Sequence, residues 1–114
     1  MNETIVSFSL KNLGVDPLTL AKFFYQKGIF SHLFIQKLIY FSFLKGLEKN
    51  SLFFEERFQA WKHGPVLRSV FERMAYCDSL DTLKKRFAEI SPIENQEVTD
   101  ILEETYQTYR DWEI

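Results

Sequence analysis

The chain has 114 residues, of which 46% are hydrophobic and 12 are phenylalanine, and its formal net charge is −2. This length and composition are typical of one folded domain with a modest core, not of a disordered chain. The balance of 14 basic and 16 acidic residues makes a nucleic-acid-binding protein an unlikely class, and the single cysteine excludes an intrachain disulfide and cysteine-rich zinc motifs.

The sequence predicts a cytoplasmic protein with no membrane span. Its first residues lack the basic start and long apolar run of a signal peptide. The most apolar stretch is interrupted by Gln36, Lys37, Ser42 and Lys45, so it falls short of the roughly 18 clean apolar residues that a span requires.

Two helices are predicted in the first half of the chain. The Asp-Pro pair at 16–17 favours a helix start, because Asp caps free amides and the fixed φ of Pro suits the first helical position. This helix is expected to run to Lys27, with Gly28 at its left-handed terminus. Ser31 can cap a second helix that continues to about Lys45, where Gly46 can end it, although Leu47 allows another turn.

The second helix is apolar around most of its circumference, which predicts that other elements surround it. It is also too apolar to read base edges, which argues against a helix-turn-helix protein. The absence of a basic face argues against a DNA-binding autoregulator. Its apolar residues are Leu33, Phe34, Ile35, Leu38, Ile39, Tyr40, Phe41, Phe43 and Leu44.

The second half of the chain predicts short extended segments followed by three helices. The aromatic-rich residues 50–61 have no clean apolar face, and they leave open a small hairpin. Helix three is expected to begin at Pro65, and helix four at Asp78 or Ser79. The sequence SPIE at 91–94 has capping-box spacing and predicts helix five, with Val98, Ile101, Leu102, Thr105, Tyr109 and Trp112 buried.

The predicted fold class is therefore mainly α. It is a single compact helical domain of about five helices around a buried central helix, with a short β-hairpin left open. The domain is expected to cover residues 16–114, and residues 1–15 to form an N-terminal extension.

The stretch FQAWKHGPV, residues 58–66, carries the candidate partner-binding residues. Trp61 either fills the junction between helices two and three or forms an exposed anchor for a partner protein. Lys62, His63 and Arg68 lie close to it in sequence, and Tyr106 on helix five is a further candidate contact.

The sequence contains few candidate catalytic or metal-binding residues. The chain is therefore predicted not to be an enzyme and to hold no metal or cofactor. His32, His63 and Cys77 lack the spacing of metal ligands, and the four glycines never cluster into a phosphate-binding loop. The alternative is a small enzyme that uses His63 with Glu55 or Glu56. These adjacent glutamates point to opposite faces of an extended segment, which excludes a carboxylate dyad.

Residues 35–74 resemble the Panacea domain, also called the SocA-like antitoxin domain. The resemblance covers a block on the central helix, a Leu-Phe pair, and a Phe-x-Ala-Trp-x-x-Gly-Pro-Val block. The matching residues are Lys37, Leu38, Ile39, Tyr40, Phe41, Leu52, Phe53, Phe58, Ala60, Trp61, Gly64, Pro65 and Val66.

The sequence departs from the family pattern at three points. Ser42 stands where the family usually has Ala, and His63 replaces a frequent Tyr. Family members commonly continue beyond helix five into another conserved stretch, whereas this sequence ends at Ile114. The resemblance thus leaves open a short member of the family or a truncated chain.

The resemblance implies a bacterial or phage-borne antitoxin that neutralises a cognate toxin, encoded next to it, by direct protein–protein binding. It implies no enzymatic activity, and it does not identify the toxin. The alternatives that it leaves open are a proteolytic adaptor, which hands a toxin to a protease, and another phage-associated regulatory protein.

Overall fold

A computed structural model describes residues 10–112. Residues 1–9 of the predicted N-terminal extension and residues 113–114 of the predicted helical domain lie outside the described residues. Within the described part the fold is mainly α, with short two-stranded sheets. The elements in order are β1 (Lys11–Asn12), α1 (Pro17–Gln26), α2 (His32–Glu48), β2 (Ser51–Leu52), β3 (Gln59–Trp61), β4 (Gly64–Val66), α3 (Arg68–Met74), α4 (Leu80–Ala88), α5 (Gln96–Tyr109) and a 3₁₀ turn (Arg110–Trp112).

Residues 11–15, predicted as part of an extension, pair with the segment that follows α2. Strand β1 lies parallel to β2, with Lys11 opposite Ser51. The amide of Leu13 donates to the carbonyl of Leu52 at 2.8 Å, and the amide of Val15 donates to that of Phe53 at 2.8 Å.

The predicted starts of α1 and α2 are confirmed. The Asp16 carboxylate accepts a hydrogen bond from the Leu18 amide, and the Ser31 hydroxyl accepts one from the Phe34 amide. Helix α2 continues through Gly46 to Glu48, so it takes the further turn that Leu47 was expected to allow and does not end near Lys45. Gly46 is buried against the ring of Phe53, so its role is close packing and not helix termination.

Helix α2 contacts α1, α3, α5, β2 and β4, which together cover much of its apolar surface. The cover is incomplete, since Leu33 remains 43% exposed and Leu44 39% exposed. Ser42 lies on the covered side, where its hydroxyl is fully buried and has no hydrogen-bond partner among the described residues. An alanine at this position would leave no such polar atom to desolvate.

The hairpin that the sequence left open is present. Its first strand lies at the end of residues 50–61, and its second strand follows that segment. Strands β3 and β4 are antiparallel, with Ala60 opposite Pro65 and Trp61 opposite Gly64. The predicted start of helix three at Pro65 is therefore wrong, and α3 begins at Arg68.

Two remote side chains explain why α3 begins where it does. Its N-cap residue, Leu67, has no side chain that can cap the helix. Instead the Glu56 carboxylate accepts hydrogen bonds from the Ser69 amide at 3.1 Å and the Ser69 hydroxyl at 2.6 Å. The Leu67 amide donates to the side-chain oxygen of Gln36 at 2.9 Å. The Leu67 and Ser69 amides at this helix start are thus satisfied by tertiary contacts.

Ser79, one of the two predicted start residues, caps α4, and Leu80 at its first turn is 60% exposed. Helix α5 differs from prediction at both ends. The predicted capping box at 91–94 does not form, because Asn95 caps α5 by accepting from the Val98 amide. Trp112, predicted to be buried, is 64% exposed. It lies in the 3₁₀ turn, whose tighter winding takes it out of the periodicity of the buried face of α5.

The core lies between α2 and the helices that pack on it. Helix α5 makes the largest contact with α2, and α1 makes the next largest among the helices. The largest fully buried side chains come from all of these elements and from the segment after β2, and they include Phe24, Phe53, Phe87, Leu20, Ile35, Leu38, Ile39, Leu67, Ile101 and Leu102.

Candidate partner-binding groove

The β3–β4 hairpin and α2 border a groove of about 310 Å³. One wall comes from α2, and the rest comes from residues 58–65. Its lining side chains are mainly apolar and aromatic: Tyr40, Phe58, Gln59, Ala60, Trp61, Gly64 and Pro65.

The groove collects residues that lie in separate blocks of the sequence. Tyr40 comes from α2, and the other six lining residues lie within residues 58–65; all but Gln59 were predicted as motif residues. Of the other predicted motif residues, Leu38 and Val66 are buried beneath this surface and Lys37 is exposed. Phe41 instead stacks on Tyr109 of α5, with ring centroids 4.5 Å apart.

An aromatic cluster forms the wall of the groove on the α2 side. The rings of Tyr40 and Phe58 meet edge to face, with centroids 5.1 Å apart. Phe58 also contacts Phe43 at 5.3 Å and Phe54 at 5.9 Å. Because Phe54 is buried, the cluster ties this wall to the core and holds it in a defined position.

Trp61 is partly buried. It is therefore neither a fully buried junction residue nor a fully exposed anchor, the two alternatives that the sequence left open. Its ring packs edge to face on Phe71 of α3, with centroids 4.8 Å apart. Its indole N–H donates to the side-chain oxygen of Gln59 at 2.9 Å. The rest of the ring lines the groove, so Trp61 both joins the hairpin to α3 and offers apolar surface to a partner.

Several basic side chains lie around the hairpin. Lys62 and His63 form its exposed turn, and the guanidinium of Arg68 lies 6.0 Å from the centre of the Trp61 ring. Arg68 also pairs with the exposed Glu72 at 3.4 Å. The structure therefore brings together four of the predicted site residues, namely Trp61, Lys62, His63 and Arg68.

Tyr106, the fifth predicted contact, lies elsewhere. It is partly buried on α5, where the ammonium of Lys27 is 5.1 Å from its ring centre. It does not line the groove, and nothing in the contacts connects it to Trp61.

The residues of the alternative enzymatic site are not brought together within residues 10–112. Glu55 accepts a hydrogen bond from the Asn12 amide group at 2.6 Å, and Glu56 is engaged by Ser69. Both glutamates line a different cavity, beside Asp16. His63 has no hydrogen bond or ion pair to either carboxylate in this part of the chain.

Sequence reasoning missed the residue that holds the hairpin to α2. Gln36 is buried, and its amide group donates to the Leu67 carbonyl at 3.0 Å while its oxygen accepts from the Leu67 amide at 2.9 Å. This double hydrogen bond pins the junction between β4 and α3 directly behind the groove. The signal was present as one amide side chain among the apolar residues of the second helix.

The contacts of Gln36 also determine the protonation of His32. Both atoms of the Gln36 amide are oriented by Leu67, so its second N–H points to His32 Nε2, 2.9 Å away. That nitrogen must accept, which places the imidazole proton on Nδ1 and leaves the ring neutral. Burial lowers the pKa of His32 below its usual 6.5, and a second proton would set two donors against each other.

This arrangement predicts that acidification destabilises the fold through His32. Because the pKa of His32 is lower in the folded chain, the unfolded chain binds more protons as the pH falls through about 6.5. The free energy of unfolding should therefore fall between about pH 7.5 and pH 5.5. Urea unfolding at both values checks this. His32→Asn, which keeps an acceptor without a titrating ring, should reduce the difference, and an unchanged difference would contradict the prediction.

Among residues 10–112, no three His, Cys, Asp or Glu side chains form a group that could hold a metal ion. None of the helices in this part of the chain combines the length and the apolar character that crossing a membrane requires. Comparison of the chain with protein-family models, with curated proteins and with solved structures found no match.

Proposed function

We propose that this protein is an antitoxin, which neutralises a cognate toxin in the cytoplasm by binding it directly through the groove beside Trp61. One observation carries the proposal. Tyr40 on α2 and five residues within 58–65, all of them positions that resemble the Panacea domain, line one partly exposed apolar groove.

The chemistry of the groove supports a protein partner. Aromatic side chains in a preformed, partly enclosed site are the usual anchors of protein interfaces, and Trp, Tyr and Arg dominate their binding energy. The groove presents Trp61 and Tyr40, with Arg68 at its margin. In this proposal α2 acts as the central helix that carries the Tyr40 wall, and neutralisation requires contact and no bond-breaking step.

Co-expression with the protein encoded by the neighbouring gene tests this function. The neighbouring gene alone should stop growth, and this chain should restore it. Trp61→Ala should weaken binding by about 2 kcal/mol or more, roughly 30-fold, and abolish rescue. Isothermal titration of the purified pair gives the affinity, and urea unfolding shows whether each variant is folded.

Two further variants make the outcome unambiguous. Trp112→Ala removes an exposed tryptophan outside the groove, so rescue should persist. Ala60→Gln fills the groove at an exposed position and should block binding without affecting the core. Full rescue by both Trp61→Ala and Ala60→Gln would refute binding through the groove. Absence of toxicity from the neighbouring gene would refute the antitoxin function.

A further inference from the structure

Helix α2 leaves one line of its surface open to solvent. Its four exposed residues are Leu33, Lys37, Leu44 and Glu48. They follow one another at spacings of four, seven and four residues, which places them on the same side of an α-helix. We propose that this exposed line of α2 is a self-association surface, on which a second copy of the chain docks antiparallel, with Lys37 of each copy against Glu48 of the other.

Apolar side chains lie within this line and beside it. Leu33 and Leu44 belong to the line, and the partly exposed Phe41 lies at its border. The ring of Phe41 stacks on Tyr109, which in turn meets the exposed ring of Trp112 edge to face, with centroids 4.7 Å apart. Clustered apolar surface on a helix that other elements otherwise enclose indicates a place where a further element docks.

The two charges of the exposed line have no partner within one copy. Neither Lys37 nor Glu48 forms an ion pair within 4.0 Å in the described part of the chain. They lie about 16 Å apart along the helix, which is too far for them to pair with each other. Glu48 is also the last residue of α2, where the helix dipole disfavours a negative charge.

A second copy of the chain supplies both missing partners. An interface with twofold symmetry is self-complementary, so that if one residue contacts another, the reverse contact also forms. With two α2 helices antiparallel and the axis midway between the charges, Lys37 of each copy meets Glu48 of the other, and Phe41 comes near Leu44. A parallel arrangement would set Lys37 against Lys37. The charge pattern therefore favours the antiparallel dimer.

The other charges of α2 do not oppose this pairing. Lys45 pairs with Glu104 of α5 at 3.4 Å. Lys49 follows Glu48 directly, and consecutive helical residues do not face each other.

The border formed by α5 adds no net charge either. Arg110 lies 4.0 Å from Asp111 in the 3₁₀ turn, next to Tyr109 and Trp112, so the two charges balance. Lys37 and Glu48 are thus the charges that determine how two exposed lines fit together.

The size of the surface predicts a weak, reversible dimer. Helix α2 has 17 residues, so its exposed line is about 25 Å long and, at the diameter of a helix, about 10 Å wide. This is small against the roughly 800 Å² per partner that a standard interface buries. The Tyr109–Trp112 pair adds some apolar surface at the border. We therefore expect a Kd of about 10–100 μM.

Sedimentation velocity of the full chain, from about 5 μM to about 500 μM in about 50 mM NaCl, tests the inference. The mean mass should rise from that of the monomer towards that of the dimer, and about 500 mM NaCl should weaken the association. Leu44→Glu sets a charge against Phe41 of the other copy, so this variant should stay monomeric. A parent chain that is still monomeric at about 500 μM would overturn the proposal and leave the exposed line to another protein.

Charge reversal tests the antiparallel pairing. Lys37→Glu and Glu48→Lys each set like charges against one another at both ends of the dimer, so each change should raise the Kd about 10-fold or more. Mixed in equal amounts, the two variants should form a heterodimer with a Kd near that of the parent, because every pair is again of opposite sign. In a parallel dimer the single changes would only exchange one like-charge pair for another.

Matched controls separate this pairing from net charge and from unfolding. Lys84→Glu and Glu94→Lys make the same charge changes at exposed positions away from α2 and should dimerise like the parent. Glu48→Lys places a cation where the helix dipole favours one, and urea unfolding shows that each variant is folded.

Two results would contradict the antiparallel contact: an unchanged Kd in both single reversals, or no association of the mixed variants. The dimer is measured on this chain alone, so its outcome is independent of the antitoxin proposal. A dimer without toxicity of the neighbouring gene would refute the proposed function only, and rescue by a monomeric chain would refute the dimer only.

Discussion

Gln36→Met is expected to lower the free energy of unfolding by about 2–5 kcal/mol, because two buried backbone groups of Leu67 would lose their partner at about 1–3 kcal/mol each. Methionine fills a similar volume, so the change isolates the hydrogen bonds from packing. The loss is large against the roughly 5–15 kcal/mol that stabilises a typical domain. Urea unfolding at neutral pH measures it.

The control is Gln26→Met at the exposed end of α1, which should change stability by about 0.5 kcal/mol or less. If Gln36→Met were as stable as the control variant, the amide would not hold the junction between β4 and α3. Because that junction lies behind Trp61, we also expect Gln36→Met to weaken rescue in the toxicity assay. This would link a buried position to the groove.

Gly46→Ala is expected to destabilise the fold by about 1–3 kcal/mol, since inserting a methyl group into a filled core forces neighbouring atoms to move. A Cβ at this position would lie 2.6 Å from one ring carbon of Phe53 and 3.0 Å from another. The expected sign is informative, because glycine to alanine within a helix otherwise stabilises by about 1 kcal/mol. Thermal and urea unfolding both measure the effect.

A double-mutant cycle tests the cause of this effect. Phe53→Leu removes the ring edge that the new methyl group would meet. The double variant Gly46→Ala/Phe53→Leu should therefore lose about 1 kcal/mol less than the sum of the two single changes. Additive losses would mean that the contact with Phe53 is not what makes glycine necessary.

Gly46 and Gln36 both lie on α2, and each fixes how another segment packs against this helix. Sequence patterning describes this helix as apolar nearly all round, yet its two most constrained positions are a glycine and a glutamine. Gly46 lets the chain after β2 approach the helix, and Gln36 holds the β4–α3 junction. Between them, α2 positions both ends of the segment that carries the groove.

The sequence by itself determined the elements whose signals are local. Asp16, Ser31 and Ser79 cap the helices that they were predicted to cap, because a capping side chain bonds an amide two or three residues further along. Such features depend only on neighbours in the chain, so a single sequence contains them. The assignment of residues 58–66 as a partner-binding segment stays a prediction.

Only the tertiary structure decided the start of α3 and the shape of the groove. Pro65 has the properties of a first helical residue, but it lies in β4, and the helix is capped by Glu56 from 13 residues away. Gln36 reaches Leu67 across 31 residues. Tyr40 likewise meets Phe58 only after α2 and the hairpin have packed. These contacts depend on which elements pack together, and one-dimensional periodicity carries no information on that packing.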